Sequence, residues 1–261
     1  MTKTIKLIIL IIISCSVYFI YQDTKGKNMN ILNIGDGLAV GINSYGIKEY
    51  SYIDYYKDYL NKTKNVTIVN NYSRKDLSID KLLDTIKTNP KLRRSLNEAH
   101  ELIIVVGYND IKYKMSLENN ITKTKIDYIM EDINKNYEEL IKEIRKYYKN
   151  NIYIIGYYNH SIDNYYLNYS IRKLNNILKE NPEIIFINTE NIANNPDKYF
   201  SNPNSYYPNN YGYEEIARRI IRKTLEKKEK LWYINNAFNY YDINFVMAEG
   251  EIVWKKIYIQ K

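Results

Sequence analysis

Five short apolar runs, each followed by a longer segment with helical spacing, constrain this chain more than any other feature. The runs are MNILNI (Met29–Ile34), VTIVN (Val66–Asn70), LIIVVG (Leu102–Gly107), IYIIG (Ile152–Gly156) and IIFIN (Ile184–Asn188). Each is short, β-branched and apolar without strict alternation, the pattern of strands covered on both faces. The clearest helical segment is Ile126 to Tyr148, where Ile126, Met130, Ile133, Tyr137, Leu140, Ile144 and Tyr147 step by four and three to give one apolar face. Others cover Tyr50–Asn61, Ser78–Thr88, Asn164–Glu180 and Tyr213–Lys227. Strand alternating with helix predicts an α/β fold, a doubly wound and mostly parallel sheet flanked by helices. Ligands in such sheets sit beyond the carboxyl ends of the strands. The loops to search are therefore those after Ile34, Asn70, Val106, Gly156 and Asn188.

With 261 residues the chain can hold one substantial domain and a small appendage. Residues 1–28 read as a membrane anchor or signal segment with a polar tether, 29–230 as the main domain, and 231–261 as an extension. In the extension, INFVMAEGEIVWKKIYI alternates around Glu249-Gly250 as a β-hairpin would. At the amino end Lys3 and Lys6 flank an apolar run from Ile5 to Tyr21. As a helix that run would measure roughly 25 Å, near the lower limit for a bilayer span. Positive charge on the short flank predicts a single pass with the amino terminus inside and the domain outside. A cleaved signal peptide and a secreted product are the alternative, although no small-x-small site follows Tyr21. A lipoprotein anchored through Cys15, in IISC, is another; as the only cysteine it permits no intramolecular disulfide. The net charge of +8 comes from lysines scattered through helical segments, which is a solvated basic surface and not a nucleic-acid site.

The loops carry four stretches with chemical content: IGDGLAVG, NNYSRKDLSIDKLL, VGYNDI and NPNSYYPNNYGYEEIA. In this order, each after a strand or before a helix, they resemble the SGNH/GDSL hydrolase superfamily over about Met29 to Lys227. The first resembles the GDS block with its nucleophilic serine, the third the G-x-N-D block, and the last D-x-x-H-P-N-x-x-G-Y. The resemblance implies ester hydrolysis by a serine whose proton passes to a histidine oriented by an aspartate. It also implies an oxyanion held by backbone amides and the third-block asparagine.

Carried over residue by residue, the serine position is Gly37, the aspartate position Asn204 and the histidine position Tyr207. All three members of the triad are missing. Asp36 matches the first-block aspartate, Asn109 the oxyanion asparagine, and the second-block glycine falls near Asp76, where a carboxylate would repel developing negative charge. Together with the amino-terminal segment, the resemblance thus points to a membrane-anchored, extracytoplasmic pseudo-hydrolase that keeps a cleft of Asp36, Gly37, Asp76, Asn109 and Tyr207. Tyr72, Tyr108, Tyr157 and Tyr158 are expected to offer stacking faces there, to a cell-envelope glycan, an acyl ligand or another envelope protein. Two alternatives stay open. One is an active esterase or carbohydrate deacetylase built around His160 and Asp163, with Asp36; the other is a purely structural envelope protein. No metal and no cofactor is expected.

Overall fold

All five apolar runs become strands. A computed structural model describes residues 28–62, 64–159, 164–202, 205–235, 247–248 and 251–252, with backbone alone from 228 onward. β1 (Asn28–Gly35), β2 (Asn65–Val69), β3 (Glu101–Val105), β4 (Ile152–Ile155) and β5 (Ile184–Ile187) form one sheet in the order β2-β1-β3-β4-β5. Every pairing in it is parallel. β3 and β4 are buried throughout, whereas β2 and β5, at the edges, are partly open. The chain steps from β1 outward to β2 and then back past β1 to β3. That reversal between β1 and β3 is the switch point at which doubly wound sheets place their ligands.

The helices follow the strands: α1 (Gly37–Val40), α2 (Tyr52–Leu60), α3 (Ile79–Thr88), α4 (Pro90–Glu98), α5 (Tyr108–Ser116), α6 (Lys123–Arg145), α7 (Tyr165–Glu180), α8 (Pro196–Tyr199) and α9 (Asn210–Asn235). A capping box of Ser51 and Asp54 starts α2, and Thr122 Oγ1 caps α6. α6 buries Ile126, Met130, Ile133, Tyr137, Leu140 and Ile144 on the face their spacing predicts. It ends at Arg145, so the phase shifts. Tyr148, not Tyr147, goes inside, at 1% exposure, and donates to the Asn151 carbonyl at 2.9 Å.

The chain divides into two units, Met1–Ile221 and Arg222–Lys261. The first holds the sheet and the candidate site. In the second, β6 (Met247–Ala248) and β7 (Glu251–Ile252) pair antiparallel, as the alternation there predicts. Among the described residues no helix is long and apolar enough to cross a membrane. The apolar run 5–21 and Cys15 lie outside them.

Candidate functional site

The turn after β1 is built around Asn33, fully buried in the strand. Its amide nitrogen donates to Ala39 O at 3.3 Å and Asn70 Oδ1 at 3.0 Å, and its oxygen accepts from the Tyr52 hydroxyl at 2.8 Å. One side chain thereby ties β1 to α1, to the loop after β2 and to α2. Ser73 and the Arg74 amide complete the knot on Gly35, at 3.1 and 2.9 Å. Asp36 then caps α1: its Oδ1 accepts from the Leu38 amide at 3.0 Å, while its own amide donates to Val105 O at 2.9 Å. Gly41 ends this single turn at φ +84°, a left-handed conformation that glycine adopts without strain.

Gly37, at the serine position, is glycine for a different reason. A Cβ built there would lie 2.6 and 2.7 Å from Cε1 and Cζ of Tyr207, and closer still to its hydroxyl. The tyrosine at the histidine position fills the volume that a serine side chain would need. Tyr207 is held there through its backbone, its carbonyl accepting from Ser44 Oγ and its amide donating to Ser205 Oγ, both at 3.1 Å. Burial, with the Asp36 charge second, pushes its phenol up to about 12. At pH 7 only about one molecule in 10⁵ would carry the phenolate, so Tyr207 is no general base.

Asp36 is 2% exposed, and both its oxygens are engaged, Oδ2 accepting from the Tyr157 hydroxyl at 2.7 Å. Burial raises its carboxyl to about 7, against the lowering effect of Tyr157 and the Leu38 amide. Around it the tyrosines pack on one another instead of lining an open cleft. Tyr108 stacks on Tyr206 at 4.0 Å, Tyr206 lies 5.5 Å from Tyr158, and it meets Tyr207 edge-on at 5.4 Å. Tyr157 and Tyr158 are wholly buried, their hydroxyls donating to Asp36 and to Tyr206 O. The stacking faces expected of these two are therefore turned inward, because each hydroxyl finds a buried acceptor that draws the ring into the core. Tyr206 joins them with a buried hydroxyl that has no hydrogen-bond partner among the described residues.

Asn109 stands in the first turn of α5, just after β3, but both its amide hydrogens are engaged. They go to Lys75 O at 3.1 Å and Leu77 O at 2.8 Å, so the residue matching an oxyanion donor here braces the second-block loop. Its neighbour Asp110 is buried and accepts from the Ile79 amide at 3.1 Å, capping α3. Asp76 is exposed and paired with Lys81 at 2.5 Å, which offsets its charge and holds its carboxyl below the usual range. Asp36, Gly37 and Tyr207 thus come together, while Asn109 belongs to the start of α5 and Asp76 to the loop before α3. His160, Asp163 and Asn204 lie outside the described residues. Tyr206 and the Asp36–Tyr157 pair were missed from the sequence, the only signal for them being paired tyrosines in GYYN and SYYP. Among the described residues no group of three or more His, Cys, Asp or Glu side chains is placed to hold a metal.

The family model for GDSL-like lipase/acylhydrolase matches residues 31–248. Among curated proteins, no sequence matches this chain. Among solved structures, the lipase Lip_vut3 from a goat rumen metagenome is similar with a TM-score of 0.66 at 18% identity, over 75% of this chain and 97% of its own. Axe2, an acetylxylan esterase from Geobacillus stearothermophilus, is similar with a TM-score of 0.55 at 16% identity, over 77% of this chain and 95% of its own.

Proposed function

We propose that this chain, which belongs to the GDSL-like lipase/acylhydrolase family, has kept the SGNH scaffold and lost the hydrolysis. The observation that carries this reading is the interlock of Gly37 with Tyr207. Glycine offers no nucleophilic atom, and the side chain at the histidine position occupies the space in which a nucleophile would swing. In a serine protease, loss of the nucleophile or the base alone costs on the order of a million-fold in turnover. Asp36 does not replace them, since a carboxyl with both oxygens engaged and 2% exposure does not reach a substrate.

What remains is the fold, with its former active-site edge filled by tyrosines and an open cavity beside it. The neighbours named as a lipase and an acetylxylan esterase make acyl groups and glycans the first ligands to test, with another envelope protein as the further partner. The charged flank and apolar run at residues 1–28 support a protein held in the cell membrane with this domain outside.

The test is hydrolysis of small chromogenic acetyl and acyl esters by the full chain and by a Gly37→Ser, Asn204→Asp, Tyr207→His triple variant. The native chain is expected to match the buffer rate and the triple variant to exceed it. Turnover by the native chain clearly above buffer overturns the reading.

A further inference from the structure

Beside the degenerate turn, an open cavity of about 290 Å³ lies between the loop 43–49 and the start of α9. The volume is at the lower end of small-molecule sites and suits one ring-sized ligand. Its loop is preformed: the Asn43 amide donates to Ile47 O and the Glu49 amide to Gly41 O, each at 2.8 Å. Asn43 Oδ1 also accepts from the Tyr45 and Ile47 amides, each at 2.9 Å.

Three features of the lining select a ligand. Asn43 is only 7% exposed, and its Nδ2 has no partner among the described residues, leaving two donors for a group in the cavity. Glu49 lines the same cavity and its carboxylate forms no ion pair among the described residues, in a chain of net charge +8 where Glu214 and Glu215 each pair with an arginine. Tyr45 and Tyr211 line it while remaining 75% and 65% exposed, so their rings are open to a ligand. A lone carboxylate is too few ligands for a divalent metal but matches a single ammonium. Tyrosine faces accept both an ammonium and the C–H face of a sugar ring. The amides of Asn43 and Asn210 and the Ser201 hydroxyl suit ring hydroxyls.

We propose that this cavity binds an amino sugar, a pyranose ring carrying a free, protonated amine. The site goes beyond the loss of hydrolysis and does not depend on it. Ser44 Oγ, in the same loop, donates to the Tyr207 carbonyl at 3.1 Å, so the cavity adjoins the blocked turn without sharing its reactive positions.

The test is titration of the full chain with glucosamine, N-acetylglucosamine and glucose, read by calorimetry or ligand-observed NMR. Native protein is expected to bind glucosamine saturably and the other two about tenfold more weakly, the difference made by one charge-assisted hydrogen bond. Glu49→Gln should remove that preference, and Tyr211→Ala should weaken all three, with thermal melts showing each variant folded. The proposal is overturned if the native chain binds no glucosamine, if it binds glucose equally well, or if Glu49→Gln leaves glucosamine affinity unchanged. Ester turnover by the native chain would overturn the non-hydrolytic reading and leave these titrations untouched, so the two fail separately.

Discussion

Gly37 and Tyr207 occupy one volume, and neither can change alone without disturbing the other. Gly37→Ser by itself inserts atoms into a filled space and should destabilise the chain by about 1–3 kcal/mol. Combined with Tyr207→His, the same serine should cost clearly less, because the smaller ring gives way. A double-mutant cycle on urea midpoints reads this as a coupling energy, and strict additivity would contradict the interlock. Each residue was legible alone, since IGDG and SYYP set them at the serine and histidine positions. Their mutual contact was not, because no pattern in the sequence says which way a tyrosine ring turns. Asn109 makes the same point: its identity in GYND was plain, while the engagement of its amide by Lys75 and Leu77 depends on the path of a loop.

At the level of elements, two carboxylates stand at helix starts and would ordinarily be favoured there as anions. Burial outweighs that effect in both. Asp36, capping α1, is raised to about 7, and Asp110, bonded to the first amide of α3, to about 6. Each binds its proton more tightly in the folded chain than in the unfolded one, so the stability involved is fully present below about pH 4 and is lost as pH rises through 6 to 7. Melting temperature should therefore fall over that window, and Asp36→Asn should flatten the fall. Melts of both proteins between pH 4 and pH 8 check this, and a variant whose curve parallels the native one refutes it. The five strands and α6 were readable because periodicity records burial. The end of α3 at Thr88 is legible in the sequence and α4 is not, although Asn89 signals its start by accepting from the Lys91 and Leu92 amides, at 2.9 and 3.2 Å, ahead of Pro90. Neighbouring helices with one shared cap look like a single helix followed by a loop.

For the molecule as a whole, the proposed location rests on residues 1–28. The full chain is expected in the membrane fraction after alkaline extraction, and a chain lacking 1–28 in the soluble fraction. Recovery of the full chain as soluble protein would remove the anchor from the account. The parallel, doubly wound sheet and the search for a site among its carboxyl-end loops followed from the strand-helix alternation, whereas the strand order β2-β1-β3-β4-β5 and its switch point did not, because alternation alone does not say which way each crossover turns. The closing of that site by tyrosines did not follow, because it joins loops far apart in sequence. That separation also orders events during synthesis. A chain emerging from its amino end presents β1 and Asp36 long before Tyr206 and Tyr207 exist. The tyrosines of that late segment arrive after all five strands, so closure of this edge marks a chain whose whole sheet has already been made.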